Sequence, residues 1–295
     1  MYLALDIGGS HVTAGIVDST RRTLLPDSLA RRVINPDAPA DRLLAAWASA
    51  ALAAYWQAGG VAVAGVGVAM PGPFEYTSGI SRLTHKFAAL YGQDVGAGLR
   101  QQWATTPLHI AALSIRSGND GALFTLGEWW AGAAQGHDRV IGVTLGTGLG
   151  SGFVAGGVPL YSGAHVPQDG QLWHTPYTGG IAEDAVSTRA LSSAYAERTG
   201  QQRTPVELAL LAQTGDADAL AVYADFGTHL ARILAPWLRS FQPTALVFGG
   251  NIARSWPLFE PTLSAALPAE TSIKLAVTTR FETANLLGAA ALAAS

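Results

Sequence analysis

Two glycine-rich turns in this sequence have the composition of phosphate-binding loops. Residues 6–10 read Asp-Ile-Gly-Gly-Ser, and residues 144–150 read Thr-Leu-Gly-Thr-Gly-Leu-Gly. Glycine leaves the backbone N–H groups unobstructed and permits positive φ, so a turn of this kind can present several amides to a phosphate. The hydroxyl groups of Ser10 and Thr147 add donors. Asp6 can hold hydrated Mg²⁺, because magnesium prefers carboxylate oxygen and keeps several waters.

The two turns occur in matching contexts, each between two apolar segments that are predicted to be strands. Either turn alone is also typical of an ordinary β-hairpin. The occurrence of two such turns is what favours phosphate binding. The Walker pattern is absent, and the second turn leads into a strand rather than a helix, which disfavours a dinucleotide fold. Because this strand–turn–strand unit occurs twice, we predict two related α/β domains that face each other across a cleft. We place them at residues 1–117 and 118–295, and the closing helix at 283–294 can pack back onto the first.

Asn119 and Asp120 follow Gly118 at the start of a predicted helix. This pair is a common N-cap, and the two residues alone favour that interpretation. An Asp at the start of a helix also suits a general base, because a hydroxyl acceptor is a poor nucleophile until its proton is taken during in-line phosphoryl transfer. One residue can serve both purposes, so the catalytic interpretation stays open at this point.

Five motifs together resemble the ROK family of bacterial sugar kinases and related repressors. They are Asp6 to Ser10, Pro71-Gly72-Pro73, Asn119-Asp120, Thr144 to Gly150, and Phe248-Gly249-Gly250-Asn251-Ile252. The resemblance extends from residue 2 to about residue 290. It implies the actin/hexokinase type of fold, with two actin-like (ribonuclease H-like) α/β domains flanking a cleft. It also implies phosphorylation of a hexose or hexosamine hydroxyl, with ATP and Mg²⁺ as cofactors.

The resemblance implies a role for each motif. Asp120 acts as the general base, Asn119 and Gly72 bind the sugar, and Asp6 holds Mg²⁺ through water. The residues implied in ATP binding are Gly8, Gly9, Ser10, Thr144, Gly146, Thr147, Gly148, Gly249, Gly250 and Asn251.

The sequence after Gly170 departs from the zinc-binding members of that family. Those members carry Glu-x-Gly-His, a loop with three cysteines and a later Glu, whereas this chain has no cysteine and a short interval between His174 and Glu183. Structural zinc is therefore not expected, and His174 and Glu183 keep a sugar-binding role. Gln171 stands where a sugar-binding Glu is usual, and it can alter the preferred sugar because Gln donates as well as accepts hydrogen bonds. Asp169 supplies the carboxylate instead if the alignment slips by two residues.

Trp173 and residues 84–86 each allow two interpretations, one of which is a role in binding the sugar. Trp173 can stack on the apolar face of a sugar ring, although large aromatic residues are buried for many other reasons. Residues 84–86, Thr-His-Lys, fit a wall of the sugar pocket or a solvated loop equally well.

The composition indicates a globular protein and excludes several classes. Of 295 residues, 49% are hydrophobic and 13% are charged, and the net charge of −3 provides no basic field for nucleic acid. Because the first predicted strand begins at residue 2, we expect no DNA-binding helix-turn-helix. The longest apolar stretches fall short of the ~20 residues of a membrane span. We therefore expect a cytoplasmic protein with a small-molecule sugar substrate and no nucleic-acid or membrane partner; the resemblance allows a homodimer.

One alternative function remains at this stage. A ROK protein without a DNA-binding domain could bind sugar for regulation and have no catalytic activity. Asp6, Asp120 and both turns argue for catalysis, whereas Gln171 keeps the alternative open. The sequence separates neither ATP from polyphosphate as the donor nor one sugar from another.

Overall fold

The computed structural model describes residues 1–109, 113–268 and 273–295. Its contacts divide the chain into two compact units. The first comprises Met1–Gly132 and Glu282–Ser295, and the second comprises Ala133–Phe281.

Each of the two units contains both strands and helices. The strands are β1 (Tyr2–Ile7), β2 (His11–Asp18), β3 (Thr23–Leu24), β4 (Ala30–Val33), β5 (Gly65–Met70), β6 (Phe74–Glu75), β7 (Ile80–Ser81), β8 (Ser114–Asn119), β9 (Arg139–Leu145), β10 (Leu149–Ala155), β11 (Val158–Pro159), β12 (Pro176–Tyr177), β13 (Gly180–Ile181), β14 (Ala245–Gly249) and β15 (Lys274–Val277). The helices are α1 (Ala40–Gln57), α2 (Val95–Gln102), α3 (Asp120–Ala131), α4 (Ala182–Ala185), α5 (Thr188–Thr199), α6 (Pro205–Gln213), α7 (Ala217–Phe241), α8 (Trp256–Ala266) and α9 (Ala284–Ala294).

The main sheet of the first unit has the strand order β3-β2-β1-β5-β8, and β4 also pairs with β2. The β1–β2 pair is an antiparallel hairpin, whereas β1, β5 and β8 run parallel. Every residue of β5 is buried, as expected for a parallel strand covered on both faces. The continuous apolar run at residues 61–69 predicts a single strand over that whole range, whereas the strand β5 spans Gly65–Met70.

Apart from Asn285, helix α9 consists of apolar residues and glycine, and it belongs to the first unit, where it packs against β1, β5 and α3. A helix of this composition needs to be buried, and the adjacent sheet face buries it. Because α3 packs along α9, the first unit continues to Gly132 rather than ending at residue 117.

The strand that precedes α3 differs from its prediction. The apolar composition of residues 108–113 predicts a strand, and Ser-Gly-Asn-Asp at residues 117–120 predicts a break that caps the following helix. Residues 110–112 lie outside the described residues, and β8 runs from Ser114 to Asn119. The expected break is therefore wrong, because parallel pairing with the buried β5 decides the conformation of this polar segment.

The sheet of the second unit has the strand order β11-β10-β9-β14-β15. It repeats the plan of the first sheet, because β9 and β10 form an antiparallel hairpin and β14 runs parallel to both β9 and β15. The long helix α7 buries one face in the core of this unit, including Tyr223, Leu230, Leu234 and Phe241. The predicted α/β class, with a repeated strand–turn–strand unit, is confirmed.

Candidate functional site

Three predicted site segments lie at the carboxyl ends of neighbouring parallel strands in the first unit. The Gly8–Ser10 turn follows β1, Pro71–Gly72 follows β5, and Asn119–Asp120 closes β8 and opens α3. The strand order β1-β5-β8 brings the three ends to one edge of the sheet, together with Asp6 near the end of β1. Open α/β sheets place their ligand sites at this kind of edge.

The turn between β1 and β2 keeps two backbone amides available. The N–H of Gly8 donates to the carbonyl of His11 at 2.9 Å, which closes the hairpin, and the carbonyl of Ser10 accepts from the N–H of Ile34 at 2.9 Å. Within the described residues, the N–H groups of Gly9 and Ser10 have no hydrogen-bond partner, and both residues are exposed. The Ser10 hydroxyl lies 3.1 Å from His11 Nδ1. These groups form a set of donors suited to an anion.

Asp6 is a half-buried carboxylate with a perturbed pKa. Burial raises the pKa of Asp6 from its ordinary 3.8 to about 6, and the negative charge of Asp120 contributes to the rise. A hydrogen bond from Asn285 and the charge of Arg31 act in the opposite direction. Asn285 Nδ2 donates to Asp6 Oδ1 at 3.1 Å, so α9 fixes one oxygen of this carboxylate.

The residues around Asp6 fit a magnesium ion that also binds a substrate. The described residues hold no group of three or more His, Asp or Glu side chains that could form a complete metal cage. Mg²⁺ does not require one, because it usually takes one or two carboxylates and completes its shell with water and phosphate oxygens. In the described part of the chain Asp6 Oδ2 has no hydrogen-bond partner, and an incompletely paired carboxylate of this kind would be stabilised by a cation.

Asn119 is almost fully buried and caps helix α3. Its Oδ1 accepts from the N–H of Ala122 at 3.2 Å, and its Nδ2 donates to the hydroxyl of Tyr76 at 3.2 Å. That hydroxyl donates in turn to the carbonyl of Met70 at the end of β5, at 3.2 Å. The amide is thereby held in one orientation. The sequence gives no sign of the role of Tyr76, because Tyr76 lies 43 positions from Asn119.

Asp120 is the first residue of α3 and is half-buried. Its Oδ1 accepts from the N–H of Gly121 at 2.8 Å. Oδ2 has no partner among the described residues, so it can accept a proton or a hydrogen bond from a ligand.

The turn between β9 and β10 also keeps two backbone amides available, although its closing hydrogen bond spans two residues rather than the three of the first turn. The N–H of Gly146 donates to the carbonyl of Gly148 at 3.1 Å, and the N–H of Leu149 donates to Glu183 Oε2 at 2.9 Å. Within the described residues, the N–H groups of Thr147 and Gly148 have no partner. Both turns therefore use their first glycine to close the hairpin and leave the next two amides available.

Thr188 fixes the direction of the second turn, a role that the sequence analysis missed. Its N–H and its hydroxyl both donate to the carbonyl of Gly146, at 2.8 and 2.9 Å. The carbonyl of Gly146 and the N–H of Thr147 belong to one planar trans peptide and point in opposite directions. Since the carbonyl points at the start of α5, the N–H of Thr147 points away from that helix.

The glycines that are predicted to bind ATP are not equivalent. A Cβ on Gly146 would meet no atom within 4 Å, so neither packing nor a positive φ requires glycine there. A Cβ on Gly148 would contact the carboxylate of Glu183. Gly250 has a φ of 79°, and a Cβ there would collide with the backbone oxygen of Leu145. Glycine is thus required by the fold at position 250 and not at position 146.

The Gly249–Asn251 segment lies next to the second turn. Gly249 ends β14 and pairs with Thr144 at the end of β9, so both segments lie at the same edge of their sheet. Asn251 is exposed and begins a 3₁₀ turn.

The residues of the second unit that are predicted to bind the sugar form one connected group. The side-chain oxygen of Gln171 accepts from the indole N–H of Trp173 at 2.7 Å, and the ring of Trp173 meets that of His174 edge-on at 4.9 Å. The N–H of Glu183 donates to the carbonyl of Trp173 at 3.0 Å. Asp169, the alternative to Gln171, lies on an exposed turn with a φ of 55°.

His174 contributes an unusual feature to this group. Its Nδ1 is buried and has no hydrogen-bond partner in the described part of the chain. Burying a polar atom without a partner costs free energy, so a ligand hydroxyl or a water that pairs with this nitrogen would stabilise the site.

Ser151 ties this group to the sheet and was also missed from the sequence. Its hydroxyl donates to the carbonyl of Gly170 at 3.0 Å and accepts from the N–H of Leu172 at 2.9 Å. Ser151 is buried in β10, so it holds the backbone on both sides of Gln171 against the strand that leaves the second turn.

The repeated hairpin with parallel strands beside it defines a protein of the actin-like, ribonuclease H-like α/β class. A family model described as the ROK family matches residues 2–295. The chain belongs to the ROK family, as its motifs indicated. Its sequence contains no cysteine, so the three-cysteine zinc loop of other members is missing.

Named relatives of this chain are sugar kinases. A glucokinase of Thermotoga maritima is 28% identical over 262 residues, covering 77% of this chain and 78% of that protein. An N-acetyl-D-glucosamine kinase of Photobacterium profundum is 25% identical over 280 residues, covering 88% and 87%. The crystal structure of a ROK hexokinase from Thermus thermophilus superposes with a TM-score of 0.80 at 26% identity, covering 99% of this chain and 97% of that chain. In the described residues, no helix combines the length and the apolar character needed to cross a membrane.

Proposed function

We propose that this protein is a carbohydrate kinase that transfers the terminal phosphoryl group of ATP to a hydroxyl of a hexose or hexosamine. The observation that carries this proposal is that the two glycine-rich turns share a hydrogen-bonding pattern, in which the N–H of the first glycine closes the hairpin. Each turn leaves two adjacent amides without a partner in the described residues, at a sheet edge that also holds polar candidates for substrate binding. The names of the relatives, glucokinase, N-acetyl-D-glucosamine kinase and hexokinase, support sugar phosphorylation.

The proposed ATP contacts follow from the donors in each turn. The amides of Gly9 and Ser10, and those of Thr147 and Gly148, bind phosphate oxygens, and the hydroxyls of Ser10 and Thr147 add two donors. Gly249–Asn251 and Thr144, next to the second turn, contact the nucleoside. Magnesium, held through water by Asp6, neutralises phosphate charge when it is bound.

The proposed acceptor contacts centre on Asp120. One of its oxygens is held by the N–H of Gly121, and the other takes the proton from the sugar hydroxyl as the phosphoryl group arrives. Asn119 and Gly72 lie at the same sheet edge and bind neighbouring hydroxyls.

Three further side chains complete the proposed sugar site. Gln171 offers its amide N–H₂, because its oxygen is already bonded to Trp173. The buried Nδ1 of His174 pairs with a sugar hydroxyl. Glu183 binds Leu149 through one oxygen and offers the other to the sugar. A cytoplasmic location and a homodimer stay predictions that accompany this proposal.

The proposal is tested by measuring ADP release from ATP with a panel of glucose, mannose, fructose and N-acetylated hexosamines. We expect turnover of ATP only when a sugar is present, and a parallel series with polyphosphate identifies the donor. Binding of sugar and nucleotide without turnover would instead identify the non-catalytic sugar-binding protein that the sequence left open.

A pair of glycine variants tests the phosphate turn. Gly146→Ala should change the free energy of unfolding by less than about 0.5 kcal/mol, because the added methyl enters empty space, and it should weaken ATP binding about tenfold or more because that space is proposed to receive the nucleotide. Gly250→Ala should instead cost more than about 2 kcal/mol of folding free energy, since it combines a positive φ with a collision at Leu145. Calorimetric ATP binding and thermal unfolding measure both effects. ATP affinity unchanged in Gly146→Ala would contradict the assignment.

A further inference from the structure

Lys86 lies beside the first glycine-rich turn. Its Cδ is 4.0 Å from the position that a Cβ would take on Gly9. The ammonium group is two bonds further along the side chain, and in the described part of the chain it has no hydrogen-bond or ion-pair partner. The two amides without a partner at this turn, those of Gly9 and Ser10, thus have a cation next to them.

Residues 34–36 fix the backbone next to Lys86 relative to this turn. Ile34 donates its N–H to the carbonyl of Ser10 at 2.9 Å, and two residues later the carbonyl of Pro36 accepts from the N–H of Phe87 at 3.0 Å. The Phe87 ring is fully buried and meets Trp47 edge-on at 5.4 Å. The position of Lys86 is therefore set by the core and not by a solvated loop alone.

Phe87 also has a backbone conformation that bulky residues rarely adopt. Its φ of 53° and ψ of 30° lie in the left-handed region. This conformation is costly for a residue with a large side chain, and it is maintained where the surrounding structure imposes it, often at functional sites. Here it turns the chain so that the ring enters the core while Lys86, one residue earlier, stays half-exposed at the turn.

We propose that Lys86 binds a phosphate group of ATP at the Gly8–Ser10 turn. Its ammonium would add a full positive charge to the two amides, and lysine suits this role because it acts on phosphate as a compact point charge. The inference rests on the proposed kinase function and assigns a further substrate-binding residue to it. This proposal differs from a sugar-pocket role for Lys86, because it assigns the side chain to the binding of ATP, the phosphoryl donor.

The test uses Lys86→Met, which removes the charge and keeps the length, and Lys86→Arg, which restores the charge. The sequence has only one other lysine, Lys274, whose Nζ donates to the carbonyl of Ala133 at 2.8 Å in the second unit. Lys274→Met is therefore a matched control. We expect Lys86→Met to weaken binding of a non-hydrolysable ATP analogue, and to lower kcat/KM for ATP, by about 10- to 100-fold, as for loss of a charge-assisted hydrogen bond.

Three comparisons decide the outcome. The KM for sugar should stay near wild type in Lys86→Met, Lys86→Arg should recover most of the loss, and Lys274→Met should bind the ATP analogue normally. Unchanged ATP affinity in Lys86→Met, or an effect confined to the KM for sugar, would overturn the proposal.

The binding measurement also separates this inference from the kinase function. A wild-type protein that binds the ATP analogue through Lys86 and phosphorylates no sugar would refute the kinase function alone. A wild-type kinase that is indifferent to Lys86→Met would refute the inference alone. A wild-type protein without nucleotide binding would refute both.

Discussion

Asp120→Asn is expected to lower the kcat of sugar phosphorylation by about 10²- to 10⁴-fold, the usual contribution of a positioned general base. An amide has nearly the shape of a carboxylate and cannot take the proton of the sugar hydroxyl. The helix should be unaffected, because Asn119 provides the cap of α3 and the new side-chain oxygen can still accept from Gly121. The coupled assay measures kcat, and calorimetry should give ATP binding near wild type.

A second aspartate at a helix start serves as the control. Asp94 is the N-cap of α2 and accepts from the N–H of Ala97 at 2.9 Å, so Asp94→Asn makes the same chemical change at the start of another helix, one position before its first helical residue. This variant should keep wild-type turnover. If Asp120→Asn retained a kcat within about threefold of wild type, Asp120 would not be the base and its role would be confined to the first turn of the helix.

Asp6→Asn should combine a loss of activity with a gain in stability at neutral pH. Burial raises the pKa of Asp6 from 3.8 to about 6, so between these two values the folded protein holds a proton that the unfolded chain has released. The free energy of unfolding therefore falls as the pH rises from about 4 to about 6, and the loss persists above that range. The shift corresponds to about 3 kcal/mol, since one pKa unit is worth about 1.4 kcal/mol. An asparagine does not ionise and avoids this cost.

Denaturant unfolding of both proteins across this pH range checks the sign. The Asn variant should be the more stable protein at pH 7, by up to about 3 kcal/mol, and the difference should disappear below about pH 4. Asp37→Asn, an exposed position, is a control that should follow the wild type. A variant less stable than wild type at pH 7 would show that the Asp6 carboxylate stabilises the fold. In the kinase assay, Asp6→Asn should need a higher Mg²⁺ concentration for half-maximal rate.

The sequence predicted the glycine-rich turns and the hairpins around them because their signals are local. The residues from Asp6 to Ser10 and from Thr144 to Gly150 contain their own turn chemistry between two apolar strands. The start of α3 was also predictable, because Asn119 caps the helix within its own first turn. The ROK family and the α/β class follow from the order of these local motifs.

Other parts of the fold and the candidate site depend on contacts between distant segments. The strand β8 is polar, and only pairing with β5, about 50 residues earlier, makes it a strand. Thr188 and Asn285 look unremarkable in sequence, since the groups that they hold, the carbonyl of Gly146 and the carboxylate of Asp6, are 42 and 279 positions away. No local pattern records such a partner.

The proposed role of Glu183 has a consequence for how the two proposed substrates influence each other's binding. One of its carboxylate oxygens holds the N–H of Leu149, and the same carboxylate stands against Gly148, at the turn proposed for ATP. A sugar hydroxyl that binds the other oxygen draws on the same delocalised charge. Occupancy by acceptor would then alter the affinity for donor, and thermodynamic reciprocity requires the donor to alter the affinity for acceptor by the same factor. A single side chain would link the two binding equilibria.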